Sequence, residues 1–471
     1  MNARPIHLIG LFLLVALFTS ACAGTPAPAS VAPTTAAQPT AGAPAAQPTA
    51  AAPAAGQVTL NYWHVWAAAA LPPIDKQIAD FEAKNPNIKV KGTSISQTGM
   101  AEKYMSAIAG GDPPDIIMIH GARDFPAFAE NDALVQLDDL LKQDGIDPKK
   151  TWFAQELNTY VYDGKTYALP YATGSGFFLL LWNKDHFKEA GLDPEKPPKN
   201  WTEYVEFSKK LTKKNDKGEF TQIGGDPAVG GAASNYLFRE YLFLNNGNIM
   251  SPDRKKVLFD SPEGLETLKW LVNYYKDMYG GFDKVQVIVG GTGSAPFRDA
   301  WLTRKLSMLV DGVWVVATAK AQQPDLKYGM ALVPFNDKNP KATYRNIVEG
   351  GWGYAIPKGS KRVKEAWQFL KWTTMQEGNL DFFKSQLRPS PVVAYQTDPF
   401  FAKEFAYWSV IQEAIQKSEY SPSTPIASKL NDITVQMTQE ALVGKKTPEE
   451  ALKWAATESQ KALDAFWAQK K

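Results

Sequence analysis

A chain of 471 residues with 44% hydrophobic residues has more apolar side chains than one core holds, which excludes a small scaffold and predicts at least two compact bodies. Its 51 Lys and Arg balance 49 Asp and Glu, so the formal net charge of +2 argues against a nucleic-acid partner. The one cysteine, Cys22, excludes an intramolecular disulfide and a thiolate-ligated metal site.

The N-terminus has the three-part pattern of an export signal. Arg4 precedes an apolar run, Leu8–Phe18, and small residues follow it. This run is shorter than the roughly 20 apolar residues that cross a bilayer. The four residues ending at Cys22, Thr-Ser-Ala-Cys, resemble the bacterial lipobox, in which the cysteine is acylated and becomes the mature N-terminus. We therefore expect residues 1–21 to be a lipoprotein signal peptide and Cys22 to carry a lipid anchor, with an ordinary signal peptide as the alternative.

Residues 22–56 have the composition of a tether. They contain no charged side chain, include seven prolines and repeat the hexamer Ala-Ala-Gln-Pro-Thr-Ala. Such a segment has too few apolar groups to form a core and favours extended polyproline II, at ~3.1 Å per residue. We predict a disordered Ala/Pro/Thr tether that holds a globular body away from a membrane.

The folded body begins at Gln57 as an α/β structure. Val58–Trp63 is rich in β-forming residues and predicts a strand, and Ile88–Val90 predicts a second one. Between them, Pro73–Lys84 carries apolar residues at helical spacing. A strand–helix–strand unit pairs its strands in parallel, so we predict an open, doubly wound sheet.

The alternation of strands and helices continues along the chain, with helix starts marked by Ser, Thr and Pro. Predicted strands are Asp115–Ile119, Leu306–Val310 and Gly353–Pro357, and predicted helices are Glu102–Ala109, Leu265–Tyr279, Val363–Met375 and one that begins at the capping box Thr447–Glu450. The fold class is therefore α/β, with a mostly helical last third.

The common motifs of catalysis do not occur. The four histidines include no HExxH pair, which argues against a histidine-ligated metal. Gly-Lys-Thr at 164–166 lacks the first glycine of a phosphate loop and predicts a turn, and Gly-Ser-Gly at 174–176 lacks the spacing of a nucleophile elbow. We therefore predict no enzymatic activity, cofactor or metal. Two carboxylates that meet only in space leave no signature, so a secreted glycoside-processing enzyme stays the enzymatic alternative.

Aromatic residues concentrate where predicted strands end. His64 and Trp66 share one face of the first strand, near the edge at which open α/β sheets bind ligands. Trp314 follows a buried strand, and Trp352 lies within Gly-Gly-Trp-Gly. Flat rings stack on the C–H faces of a sugar, and polar neighbours bind its hydroxyls. The three tryptophans are candidate sugar contacts, with core packing as the alternative, whereas Trp270 lies in helical periodicity and is interpreted as core.

Polar candidates accompany these rings. His120 and the pair Arg123-Asp124 follow the predicted strand Asp115–Ile119. Arg388 lies between apolar residues and prolines in a predicted crossover. A guanidinium in such a place is either positioned for a ligand or part of a surface salt bridge, and the sequence leaves both open.

Eight segments add a family pattern. They are, in chain order, Phe81–Pro86, Ala109–Ile116, Tyr162–Tyr171, Trp182–Asp185, Phe187–Leu192, Pro197–Glu203, Asp311–Trp314 and Gly350–Ser360. Together they resemble the extracellular solute-binding proteins, family 1, of bacterial ABC-type sugar importers. The resemblance covers nearly all of Val58–Lys471.

The resemblance implies a two-lobed periplasmic-binding-protein fold with hinge-linked, doubly wound sheets and a ligand cleft between the lobes. The implied N-lobe is 57–173 and 335–383, and the C-lobe is 174–334 and 384–471. In sugar-binding relatives, the residues that match Trp314, Gly350–Trp352 and Arg388 contact sugar. The candidate ligand-binding set is His64, Trp66, Gln97, His120, Arg123, Asp124, Tyr171, Trp314, Gly350, Gly351, Trp352 and Arg388.

The expected function is that of the substrate-binding component of an ABC importer, which captures a mono- or oligosaccharide and delivers it to membrane permease subunits. We expect a monomer on the cell surface or in the periplasm, anchored through Cys22. A receptor for a glycerophosphodiester or a polyamine is the alternative within this class. The first would need further cations beside Arg388, and the second would need several carboxylates in the cleft.

Overall fold

A computed structural model describes residues 56–66, 70–173, 178–229, 236–289, 296–348, 351–422 and 424–469. All of these belong to one compact unit, Pro53–Lys471. The predicted signal peptide, Cys22, all but the last residue of the tether and Gly350 lie outside the described residues.

The strands form two five-stranded sheets and two small ones. In chain order they are β1 (Val58–His64), β2 (Ile88–Ser94), β3 (Ile116–His120), β4 (Val161–Tyr162), β5 (Lys165–Thr166), β6 (Ala168–Ala172), β7 (Phe178–Asn183), β8 (Lys213–Lys214), β9 (Phe220–Val229), β10 (Leu306–Gly312), β11 (Tyr328–Ala331), β12 (Asn346–Val348), β13 (Trp352–Ala355) and β14 (Ser418–Tyr420).

Helices connect and cover these strands. They are α1 (Leu71–Lys84), α2 (Met100–Ala109), α3 (Gly121–Glu130), α4 (Asp138–Gln143), α5 (Pro148–Thr151), α6 (Ala154–Asn158), α7 (Lys184–Glu189), α8 (Trp201–Leu211), α9 (Tyr236–Phe243), α10 (Pro262–Tyr279), α11 (Phe282–Val289), α12 (Pro296–Leu302), α13 (Val315–Gln322), α14 (Val363–Met375), α15 (Glu377–Gln386), α16 (Pro399–Glu404), α17 (Trp408–Gln416), α18 (Ala427–Leu442) and α19 (Pro448–Gln469), with a 3-10 helix at Val393–Thr397.

The first large sheet has the order β2-β1-β3-β13-β6, and the second has the order β11-β7-β10-β9-β8. β1 pairs in parallel with β2 and β3, as predicted, and β13 inserts antiparallel between β3 and β6. In the second sheet, β10 is parallel to β9 and antiparallel to β7. The first sheet thus takes strands from 58–172 and 352–355, and the second takes strands from 178–331. The lobe boundaries given above stay a prediction.

Local sequence explains where these elements begin and end. The backbone N–H of Gly264 donates to the Ser261 hydroxyl at the start of α10, and that helix stops at Gly280, whose φ is 78°. The predicted capping box at α19 is confirmed, because Thr447 and Glu450 each accept the other's backbone N–H. The strands β3 and β7 are buried on both faces apart from His120, as in central strands that helices cover.

The Gly-Lys-Thr segment at 164–166 begins in a hairpin turn, as predicted, and its Lys165–Thr166 part continues as β5. Asp163 and Gly164 have φ values of 47° and 76° between the paired strands β4 and β5. Two successive positive φ angles suit a tight hairpin turn.

Two hydrophobic clusters form the core. The main one runs through both large sheets. The second contains residues of α9, α10, α18 and α19, including Leu242, Leu268, Met437 and Leu452. In the described part of the chain, no helix has the length and apolar character to span a membrane.

Candidate ligand-binding site

Trp314 is positioned by the glycine two residues before it. The strand β10 ends at Gly312, and a Cβ at that position would lie 2.2 Å from a carbon of the Trp314 ring. Only glycine therefore allows the indole to rest on the strand backbone. The Phe178 ring meets the indole edge-on, with 5.9 Å between centroids. Trp314 is half-buried, so the ring is fixed and still partly accessible.

Arg388 lies beside this ring. Its guanidinium carbon is 5.8 Å from the Trp314 ring centroid, a cation–π distance. No carboxylate of the described residues forms an ion pair with it. Burial and the nearby charge of Arg298 lower the pKa of Arg388 to about 10, so it remains charged at neutral pH. The side chain is thus a desolvated donor whose hydrogen bonds are available to a ligand.

An ion pair at the end of β10 supports the same region. Arg298 Nε and Nη2 donate to the two oxygens of Asp311 at 2.7 and 3.1 Å, and the N–H of Gly312 donates to Asp311 at 2.7 Å. Asp311 is 2% exposed. Sequence reasoning used Asp311 only as part of the Asp-Gly-Val-Trp motif and missed Arg298. The sequence signal that could have indicated this ion pair was a carboxylate at the end of a buried strand, because a buried carboxylate requires a partner.

Loss of Arg298 should leave the Asp311 carboxylate buried and unpaired. We expect Arg298→Met to lower the free energy of unfolding by about 3–5 kcal/mol in urea titrations at pH 7. The double variant Arg298→Met/Asp311→Asn should recover much of this loss, since it removes the buried charge as well. Equal stabilities of the single and double variants would contradict this account of the pair.

A second group forms around Trp352. Strand β13 pairs Trp352 with His120 of β3, and their rings meet edge-on at 5.2 Å. The guanidinium of Arg123 lies 5.7 Å from the Trp352 ring centroid. Arg123 also makes a two-point contact with Asp124, with both distances 2.9 Å. The structure therefore brings four of the predicted site residues together at the end of β3.

Both candidate histidines are neutral at physiological pH. Burial lowers the pKa of His120 to about 4, assisted by the charge of Arg123. Burial also lowers the pKa of His64 to about 4. The Nδ1 atom of each is buried without a hydrogen-bond partner. His64 packs against Tyr62, at 4.9 Å between ring centroids, on the inner side of the first sheet.

Trp66 and Tyr171 lie inside the first lobe. Trp66 is 9% exposed, and its Nε1 donates to the Tyr354 hydroxyl at 3.3 Å. Tyr171 is fully buried and stacks on Tyr354 with 4.3 Å between centroids. The hydroxyls of Tyr62 and Tyr354 are also hydrogen-bonded. These positions favour packing of the rings over direct ligand contact, and the predicted role of both residues in binding has no further support from their surroundings.

Gln97 and Gly351 complete the described candidates. The side chain of Gln97 is exposed in the loop before α2. The Gly351 carbonyl accepts hydrogen bonds from Gly121 N–H at 2.9 Å and from the Tyr160 hydroxyl at 2.8 Å. The backbone just before Trp352 is thereby tied to the start of α3.

Sequence reasoning also missed Glu156, which lies behind this backbone. The carboxyl is 1% exposed, and neither oxygen has a hydrogen-bond partner. Burial raises its pKa to about 8, and the nearby N–H of Gly351, which lies outside hydrogen-bond geometry, opposes this only in part. The described residues contain no group of three or more His, Cys, Asp or Glu that could hold a metal ion.

Comparison with known proteins decides the family. The sequence profile of the bacterial extracellular solute-binding proteins matches residues 66–379. The chain belongs to this family. The predicted family and the two-lobed α/β fold of these solute-binding proteins are confirmed, and membership of an extracellular family places the protein outside the cytoplasm.

Several solute-binding proteins are similar over most of their length. CpMnBP1, solved with mannotriose bound, is 30% identical with a TM-score of 0.71, covering 85% of this chain and all of that one. A solute-binding protein of Thermotoga lettingae bound to α-D-tagatose is 25% identical with a TM-score of 0.69, covering 86% of this chain and all of that one. The Escherichia coli sn-glycerol-3-phosphate-binding protein UgpB is 25% identical over 431 residues, covering 87% of this chain and 93% of that protein.

Proposed function

We propose that this solute-binding protein is the substrate-binding component of an ABC importer and captures an uncharged carbohydrate between its lobes. The observation that carries the proposal is the indole of Trp314, fixed on the backbone of Gly312 beside the unpaired guanidinium of Arg388. The ring offers a flat apolar surface, and the guanidinium offers directed donors, which together suit a sugar ring and its hydroxyls. CpMnBP1 with mannotriose supports this ligand class.

The mechanism follows from the division of the two groups between two sheets. Trp352 belongs to β13 of the first sheet, and Arg123 lies in α3, directly after β3 of the same sheet, whereas Trp314 follows β10 of the second. A sugar held by the first group gains the Trp314 and Arg388 contacts only when the lobes approach, so binding favours the closed state. Moving a hinge from 1:99 to 99:1 requires ~5.5 kcal/mol of differential affinity. Several aromatic contacts of ~0.5–1.5 kcal/mol and hydrogen bonds of ~1 kcal/mol supply that amount.

A phosphate-bearing ligand is the second candidate, and one observation favours it. A second guanidinium, that of Arg298, is close enough to lower the pKa of Arg388. UgpB, which is named for binding sn-glycerol-3-phosphate, is among the similar proteins. Asp311 neutralises Arg298 through two hydrogen bonds, which leaves Arg388 as the one unpaired cation of this described group and favours a neutral sugar. The carboxylates of Asp311 and Asp124 are both held by arginines, which argues against a polyamine.

A thermal-shift screen tests the proposal. The panel contains mannobiose, mannotriose, maltotriose, tagatose, sn-glycerol-3-phosphate and spermidine. A ligand at 100 times its Kd adds ~2.7 kcal/mol of stability, so a true ligand should raise Tm by several degrees. We expect a saccharide to do so, without hydrolysis of the sugar.

The variants Trp314→Ala and Trp352→Ala should each reduce the affinity for that saccharide about tenfold or more. Val443→Ala, at an exposed apolar residue in the loop before α19, is the matched control and should bind as wild type does. A shift with sn-glycerol-3-phosphate alone would instead support the phosphate ligand, and unchanged binding in both tryptophan variants would refute the site.

We include three further points in this proposal: a lipid anchor at Cys22, delivery of the ligand to an ABC permease, and a monomeric state. Cys22 at the end of Thr-Ser-Ala-Cys supports acylation. We expect the exported protein to partition into detergent and the Cys22→Ser variant to remain in the aqueous phase. Detergent partitioning that does not depend on Cys22 would contradict the anchor.

A further inference from the structure

A cavity lies beside α8, which packs against the second sheet. It opens between α8 and α10 and is bordered by residues 336–338, with a volume of about 490 Å³. We name it the α8–α10 groove. Ligand cavities for small molecules range from roughly 300 to 1,000 Å³, so the groove is large enough for one or two sugar residues. It shares no residue with the candidate ligand-binding set.

The floor of the groove is the half-buried indole of Trp270, which packs against the rings of Trp201, Tyr241 and Tyr274. Its centroid lies 4.4 Å from that of Trp201 and 5.0 Å from that of Tyr241, with ring planes within 22° and 29° of parallel. If Trp270 lay between these two rings, the centroids of Trp201 and Tyr241 would be separated by nearly the sum of these two centroid distances. Their centroids are only 6.0 Å apart, so both rings lie against the same face of Trp270.

Trp270 is therefore more than the core residue that its helical periodicity predicts. Trp201 and Tyr241 are buried, whereas Trp270 is half-buried and lines the cavity. Because the inner face belongs to the core, the exposed part of the indole is its outer face and edge, next to the Tyr274 ring, whose centroid lies 5.6 Å from that of Trp270. The two buried rings hold the indole in place, so a ligand that stacks on it would not have to order it.

The rim of the groove carries polar side chains without partners. Asn273 and Asp277 follow Trp270 along α10, and Glu206 and Lys209 project from α8. All four are exposed, and within the described ranges none of their side chains makes a hydrogen bond or an ion pair. An amide, two carboxylates and an ammonium group can donate to and accept from hydroxyls, and their mixed charge does not select an anion.

We propose that the α8–α10 groove is a second carbohydrate site, in which a pyranose residue of a glycan stacks on the outer face of Trp270. The groove is not built across the two large sheets, since its walls are α8 and α10, and Thr202 of α8 donates two hydrogen bonds to Asp337 at its border. It goes beyond the proposed function, because it can hold part of a glycan whichever solute occupies the cleft. A single stacked ring with exposed polar partners gives weak binding and fast dissociation of the ligand. Ligand-observed NMR detects ligands that exchange this rapidly.

The test is saturation-transfer difference NMR with methyl α-mannoside, methyl β-glucoside and mannotriose as probes. The variant Trp314→Ala/Trp352→Ala serves as the background, so that cleft binding does not contribute. We expect signal from at least one probe in this background. Adding Trp270→Ala should lower the affinity for that probe at least about tenfold. Trp270→Phe should retain part of the signal, because a phenyl ring keeps a flat face.

Trp454→Ala is the matched control, since that indole in α19 is also half-buried, has Lys446 at 4.0 Å from its ring centroid and does not line the groove. It should leave the signal unchanged. Circular dichroism confirms folding, and Asn273→Ala, at the exposed rim, provides a second variant that does not disturb the buried rings. Signal that persists in folded Trp270→Ala, or no signal from any probe in the background variant, would overturn the proposal. Loss of cleft binding alone leaves this test unaffected.

Discussion

Replacing Gly312 with alanine should abolish most ligand binding without removing any group that contacts the ligand. The added Cβ would lie 2.2 Å from the Trp314 ring, far inside van der Waals contact, so the indole has to leave its position on the strand. Gly312 does not have a positive φ, and an alanine therefore strains nothing but this contact. We expect the affinity for the saccharide identified by thermal shift to fall at least about 30-fold, the ~2 kcal/mol that a central aromatic contact carries. Isothermal titration calorimetry measures this change.

The second sheet contains a matched control for that experiment. A Cβ on Gly329 of β11 would lie 2.0 Å from the ring of Trp182, which is buried in the core. Gly329→Ala should therefore destabilise the fold by about 1–3 kcal/mol and leave the affinity of the folded protein unchanged. If Gly329→Ala loses as much affinity as Gly312→Ala, the loss reflects general damage to the sheet. If Gly312→Ala binds as well as wild type, Trp314 is not a ligand contact.

Glu156→Gln should stabilise the protein at alkaline pH and have little effect near pH 5. In the folded protein, burial raises the pKa of Glu156 from 4.5 to about 8. Between these two values the folded state keeps a proton that the unfolded chain has released, so stability falls as pH rises from about 4.5 to about 8. The total loss is on the order of a few kcal/mol, and an uncharged glutamine avoids it. Urea titrations of both proteins at pH 5, 7 and 9 measure the difference.

Glu440→Gln is the control of opposite sign. Hydrogen bonds from Lys445 and Lys446 lower the pKa of Glu440 to about 2, so this carboxylate stabilises the fold above its unfolded pKa, and that contribution is lost as pH falls toward 2. The glutamine variant at 440 should therefore be less stable than wild type at pH 7 and pH 9. A stability difference for Glu156→Gln that does not change with pH would show that the carboxyl is not ionised on unfolding as described.

Local sequence was sufficient for the helices and strands that the sequence analysis named, which are part of the full set. The apolar spacing in Pro73–Lys84 and the cap at Thr447 predicted helices that the structure places within two residues of the expected bounds. The strand–helix–strand order predicted the parallel start of the first sheet. These signals depend on neighbours along the chain, which is why they can be recognised without the fold.

The details of the site depend on contacts between distant segments. Alternation along β1 placed His64 and Trp66 on one face, yet it could not show that α15 covers this face through Phe382, whose ring lies 5.3 Å from that of Trp66. From the sequence, Gly312 near Trp314 suggested that backbone and ring both approach a ligand. In the structure, the absence of a Cβ on Gly312 makes room for the Trp314 ring itself. Glu156 gave no signal, because the backbone near its carboxyl belongs to Gly351, almost 200 residues further along the chain.

The insertion of β13 between β3 and β6 affects how the chain acquires its structure. The hydrogen bond between Tyr62 and Tyr354 joins residues 292 positions apart, so the first sheet cannot be completed until three quarters of the polypeptide has left the ribosome. Such non-local pairing slows folding, because the entropy of closing a long loop is lost before the contacts form. Because the protein functions outside the cytoplasm, slow completion of this sheet suits export of a chain that has not yet folded.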